Sequence, residues 1–168
     1  PIVSANSTGL MVSTSVDGLS AGAAVPALIG TVRFPSLALV VADQKALQST
    51  TSVTSFTFTT ETALPVGGTI TIMLPANYFS GKATPIGSLS PASGAATLSL
   101  CVLTAAKLTI VCTIATADLA VGASKISFAA GELTTGPIVS ANSTGLMVST
   151  SVDGVSAGAA VPALRSEE

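Results

Sequence analysis

Residues 1–28 (PIVSANSTGLMVSTSVDGLSAGAAVPAL) and residues 137–164 (PIVSANSTGLMVSTSVDGVSAGAAVPAL) differ at one position, Leu19 against Val155. Pro1 aligns with Pro137, so the period is 136 residues. That is the size of a domain and far above the roughly 20–50-residue period of a solenoid. Identity stops sharply, because Leu28 is followed by IGTVRFPSL and Leu164 by RSEE. The economical parse is a module over 29–164 that ends in the repeated piece, preceded by a tail or linker segment over 1–28 and followed by a short terminal tail over 165–168. The start at Pro1, inside a repeated segment, reads as a piece of a longer chain. Two nearly identical segments favour the same structural slot, and the body between them offers one. The segment 137–164 can fill that slot in cis, which leaves the first copy over to pack on a neighbouring module.

What the body folds into is set by period-two alternation. SFTFTT places Phe56 and Phe58 on one face, and TITIMLP does the same with Ile70, Ile72 and Leu74. TLSLCVLT, LTIVCTI, KISFAAG and LMVSTSVDG continue the pattern, all rich in residues that favour strands. LPVGGT, LPANYF, SPASG and VDG lie between them with turn chemistry. A type I′ or II′ turn is expected at Gly67-Gly68. No segment sustains an amphipathic helix, although ADQKALQS has the makings of one or two helical turns. The expectation is an all-β chain, an immunoglobulin-like antiparallel β-sandwich of about seven or eight strands, with a β-barrel as the alternative.

Cys101 and Cys112 are the only cysteines, and histidine is absent. That set is too small for a four-ligand structural zinc site without several carboxylates. A disulfide is the simpler reading than two buried free thiols, and it implies an oxidising, extracellular setting. If the two cysteines face each other, Val102 opposes Val111, Leu103 opposes Ile110 and Thr104 opposes Thr109. A four-residue loop, 105–108, then closes a hairpin of allowed length.

The composition excludes several partners. Charged residues make up 8% of the chain and the net charge is −2. Six Lys and Arg residues spread along the sequence make neither a nucleic-acid face nor a polybasic membrane patch. No apolar run reaches the roughly 20 residues of a membrane span. A weakly charged surface repels copies of itself weakly, which favours association. Without histidine, nucleophile–base constellations of the Ser-His type are excluded. The eight acids are mostly isolated in sequence, aromatics are 4% and Trp is absent. The chain therefore reads as a non-enzyme with no cofactor and no metal site. Asp17-Gly18 and Asp153-Gly154 read as turns rather than calcium loops, since no D-x-D-x-D-G pattern is present. Lys45, Lys82, Lys107 and Lys125 read as solubilising and edge-protecting residues. Tyr78 and Phe79 are core residues closing one end of the sandwich or, alternatively, an exposed aromatic contact.

Asn6-Ser7-Thr8 and Asn142-Ser143-Thr144 are N-glycosylation sequons, which makes Asn6 and Asn142 candidate glycan sites in a secreted protein. The first copy carries Ile2, Val3, Leu10, Met11, Val12 and Val16, apolar and β-prone residues that gain little from exposure. They are the candidate inter-subunit segment, adding to a neighbour's sheet edge by strand addition. A contact of that kind that does not close on itself builds a filament.

These features, low charge, abundant Ser, Thr, Ala and Gly, a hairpin disulfide and a near-perfect repeat, resemble the modules of tandem-repeat extracellular filament and adhesin proteins. TTETALPVGGTITIMLPANYF resembles repeated surface-protein domains of eukaryotic microbes. The leftover copy is similar in logic to the donor strand of pilus subunits, with the departure that 137–164 can fill the slot in cis. The resemblance implies a cell-surface or secreted structural subunit, bearing covalent glycans and assembling head to tail with copies of itself. An adhesin-type binding module is the alternative.

Overall fold

The computed structural model describes residues 30–104 and 109–166, together with the backbone of two strands in 1–28. Its strands in chain order are β1 (Asn6–Leu10), β2 (Ala23–Val25), β3 (Arg33–Ala38), β4 (Thr54–Thr60), β5 (Thr69–Met73), β6 (Phe79–Gly81) and β7 (Gly87–Ser90). They continue with β8 (Thr97–Leu103), β9 (Thr109–Ala115), β10 (Gly122–Phe128), β11 (Leu133–Thr135), β12 (Asn142–Thr150) and β13 (Ala159–Val161). The fold is all-β. Among the described residues the only helical turn is a 3₁₀ turn at Val41–Asp43. ADQKALQS thus contributes at most the end of that turn, and Leu47 at φ 57° breaks any continuation.

Two antiparallel sheets carry the fold. One has the order β3-β4-β10-β7 and the other β13-β12-β5-β9-β8, while β6 and β11 form a separate pair. Alternation decides which side chains meet. Strand β4 buries Thr54, Phe56, Phe58 and Thr60 and half-exposes the residues between them. Strands β5 and β9 bury Ile70, Ile72, Ile110, Cys112 and Ile114 from the other sheet. All of these except the two threonines belong to one hydrophobic core. Phe56 stands edge-on to Phe79 and Phe128, with ring centroids 6.3 and 6.1 Å apart, and Phe79 meets Tyr78 at 5.0 Å. Each such buried side chain stabilises the fold by roughly 1.5–3 kcal/mol. Tyr78 and Phe79 are fully buried, so of the two readings of LPANYF the core one is observed.

The β8–β9 hairpin has the register that the cysteines suggested. Cys101 pairs with Cys112, Val102 with Val111 and Leu103 with Ile110. The Thr104 amide donates to the Thr109 carbonyl at 3.0 Å. Cys101 and Cys112 are disulfide-bonded. The loop 105–108, with Lys107, lies outside the described residues.

The turn at Gly67-Gly68 differs from expectation. The Gly68 amide donates to the Pro65 carbonyl at 2.9 Å, and Gly67 at φ +82° is the third residue of the turn. That is type II geometry, which needs a residue free to adopt positive φ at this place. The physical reason is topological. β4 and β5 belong to different sheets, so the connection crosses between layers instead of closing a hairpin, and primed turns have no advantage there.

Candidate functional site

The feature that most needs a functional account is the repeated segment, and its second copy is built into the body. Residues 137–164 supply β12 and β13, which complete one rim of the five-stranded sheet. β12 pairs antiparallel with β5, from Met147 opposite Met73 to Thr150 opposite Ile70. Leu146, Val148, Val161 and Leu164 are buried in the common core. β13 and β12 also lie against β3 of the other sheet, so the hairpin closes this side of the molecule.

Polar contacts pin both ends of the hairpin. At one end the turn after β12 places the Asp153 carboxylate, itself buried, where its Oδ2 accepts from the amides of Glu61 (3.0 Å) and Thr62 (3.1 Å). Gly154 donates to the Gly30 carbonyl at 2.7 Å, and Val32 donates back to the Gly154 carbonyl at 3.1 Å. At the other end the Tyr78 hydroxyl donates to the Pro162 carbonyl at 2.9 Å. Burial pushes the Tyr78 phenol well above its ordinary range, so it stays a donor. Leu164 exchanges hydrogen bonds with Val139, and the Arg165 backbone is held between Gln44 and Ala46. The backbone of Arg165 is thus bonded to the body. Within the hairpin Ser156 accepts from the Val148 amide at 2.9 Å. The sequence marks Asp153 only as a turn residue. Its amide partners lie about 90 positions away, and no local pattern announces them.

The first copy can be compared residue by residue. The buried side chains of the second copy, Leu146, Val148, Asp153, Ser156, Val161 and Leu164, have identical counterparts in Leu10, Val12, Asp17, Ser20, Val25 and Leu28. The single difference falls at Val155, which is 50% exposed. Backbone pairing repeats as well. Asn142 opposes Val161 and Leu146 opposes Ala159 in β12–β13, while Asn6 opposes Val25 and Leu10 opposes Ala23 in β1–β2. Of the inter-subunit candidates, Leu10 contributes backbone to β1. Ile2, Val3, Met11, Val12 and Val16 lie outside the described residues.

Other chemistry is sparse. Among the described residues no group of three or more His, Cys, Asp and Glu side chains comes together. Asp43 is buried and serves the local backbone. Burial pushes its carboxyl up, but donation from the Thr51 hydroxyl and from the Thr51 and Ser52 amides outweighs this and holds it below its ordinary 3.8. The Ile86 amide and then Lys82 hold the Glu132 carboxyl below its usual value. Lys82 is thus ion-paired at 2.6 Å rather than a free solubilising charge. Lys125 is exposed on β10, an inner strand, so it protects no edge. Asn142 is exposed at the start of β12, and its Oδ1 accepts from the Thr144 amide at 2.9 Å. Asn6 sits at the equivalent place on the β1 backbone. A groove of about 240 Å³, lined by Pro85, Ile86, Leu98 and Leu100, opens on the rim where β7 and β8 are the edge strands. Phe34 is 78% exposed on edge strand β3, at a bulge and with φ 49°. No helix among the described residues is long and apolar enough to cross a membrane.

No family model matches the chain, nor does any curated protein or solved structure.

Proposed function

We propose that the chain is a structural subunit of an extracellular fibre, an immunoglobulin-like β-sandwich module over 29–164 that joins its neighbours head to tail through the terminal β-segment 1–28. The observation that carries this reading is the copied hairpin. Its second copy closes one side of the fold with its apolar residues buried, and the first copy carries the same residues at the other end of the sequence. A segment of this composition is stabilised by finding the same surroundings elsewhere, and another body of this sequence offers them. Contacts between two different surfaces of one subunit propagate into a filament unless the rotation closes a ring. The disulfide fits an oxidising compartment. The exposed side chain of Asn142 fits glycan attachment in a secreted protein, and so would its counterpart Asn6. In this reading the protein is not an enzyme and has neither cofactor nor metal, and its partners are copies of itself.

The adhesin-type binding module remains the second reading, and one observation favours it. Phe34 is a large exposed aromatic held in a left-handed conformation that a bulky residue adopts at a cost. Electron microscopy of the purified chain with and without residues 1–28 separates the two. Filaments that depend on the segment support the fibre subunit. Monodisperse particles in both preparations overturn it and turn attention to ligand binding at Phe34.

A further inference from the structure

We infer that residues 1–28 are the exchange partner of residues 137–164: in a second copy of the chain they occupy the slot between β5 and β3 that β12–β13 fills here. This rests on the fibre reading and names its contact.

Three observations lead to it. The first is chemical identity. Each buried side chain of the seated hairpin is repeated in the first copy, and the one difference lies at an exposed position the slot does not sense. The second is conformational identity, since β1–β2 has the register of β12–β13. The third is reach. Gly30, which follows the first copy, is bonded to Gly154 at one end of the seated hairpin. Val161 pairs with Asn142 at the opposite end of β12, a nine-residue strand, and Leu164 lies beyond it. At about 3.3 Å per residue those ends are about 26 Å apart. Were the first copy seated in its own body, Leu28 would take the place of Leu164. The two residues from Leu28 to Gly30 span about 7 Å at most. The first copy therefore does not fit its own slot unless β3 is unravelled. It fits the slot of any other copy, because there the Leu28–Gly30 connection leaves the acceptor and enters the donor's own body. One direction of exchange, donor N-terminal segment into acceptor body, gives the head-to-tail polarity.

The seated copy has the advantage of being tethered. Its effective concentration is on the order of millimolar for a short connection. Exchange is therefore a minority event at micromolar chain and grows with concentration or when the seated copy alone is weakened. The two copies occupy different positions in one sequence, so either can be weakened alone. Gly158 is the lever. A Cβ there would fall 2.6 Å from the Thr144 carbonyl oxygen of its own hairpin, whereas Gly22 is the same residue in the other copy.

The test mixes two full-length variants, Met11→Cys and Met73→Cys, refolded together and oxidised. Met11 is the counterpart of Met147, which is the cross-strand partner of Met73. Slot exchange is expected to give a disulfide-linked pair of twice the chain mass that neither variant forms alone. Its yield should rise several-fold when Gly158→Ala is added to the Met73→Cys chain and fall several-fold when Gly22→Ala is added to the Met11→Cys chain. A chain carrying both Met73→Cys and Met147→Cys closes within itself and shows that the site can oxidise. No linked pair at any concentration, with that control closing, overturns the exchange. If Gly158→Ala fails to fold, the Gly22→Ala arm still decides, since an unchanged yield there also overturns it. Filaments without the linked pair would leave the fibre reading standing and sink the exchange. A linked pair without filaments would do the reverse.

Discussion

The two copies of the hairpin are the same 28 residues with two different attachments. The second is tethered through Gly136 to β11 and is seated in the sheet, with Leu146, Val148, Val161 and Leu164 buried. The first precedes β3 in the chain, and by the reach argued above a connection as short as Leu28–Gly30 does not bring it to its own slot. If the exchange proposed above holds, the difference teaches that burial here is a property of connectivity as well as of sequence, because the side chains that are core residues in the second copy are written again in a segment joined to a different strand. The β8–β9 hairpin makes the contrast sharper. It is closed locally by a disulfide between direct cross-strand partners, so no second segment can take its place.

The strongest way to break this comparison is to make one substitution in each copy. Leu146→Ala empties a fully buried site and is expected to lower stability by about 2–5 kcal/mol, as large-to-small core changes do. Leu10→Ala should change unfolding of the isolated chain by less than about 0.5 kcal/mol, the range of surface changes. Denaturant unfolding of dilute samples checks both, and equal losses would mean that the two copies share the slot. Replacing Cys101 and Cys112 together with Ala removes the closed loop and should cost about 2–3 kcal/mol. It should leave the yield of Met11–Met73 linkage unchanged, because this hairpin takes no part in exchange. Asp153→Ala strands the buried Thr62 amide and the part-buried Glu61 amide and should cost about 1–3 kcal/mol, with Asp17→Ala near zero in the same dilute assay.

A smaller effect is the pH response of Asp43. Its carboxyl in the folded protein titrates below the ordinary 3.8. The stability it contributes is therefore complete above the unfolded value and is lost as pH falls through the lower folded one. Asp43→Asn should flatten the fall in stability below about pH 4, measured by thermal unfolding across that range. The smallest expected effect is Val155→Leu, which makes the copies identical. It should stay within about 0.5 kcal/mol, since the side chain is half in solvent.

Much of the fold was legible where the signal is local. Alternation in SFTFTT, TITIMLP and LTIVCTI marks strands because one face must be apolar, and the cysteine spacing places β8 against β9 in its observed register. Thr104 and Thr109 face each other for the same reason. The β6–β11 pair was not legible, because FSG and LTT are too short to alternate and their partners are about 50 positions apart. Phe34 is an apolar residue on a strand, yet a bulge turns it to solvent. The Gly67 turn type depends on which sheet receives the next strand, information that no turn residue carries.

The sequence by itself determined that the chain is all-β, that one hairpin is cross-linked, and that a second hairpin is written twice with the same internal register. These follow from periodicity and from neighbours a few residues apart. Only the tertiary structure decided that the second copy is seated in the sheet, and it set the distance from which exclusion of the first is inferred. The reason is geometric. About 26 Å separates the two ends of the slot, a two-residue connection spans about 7 Å, and such a distance exists only once the sheets have assembled.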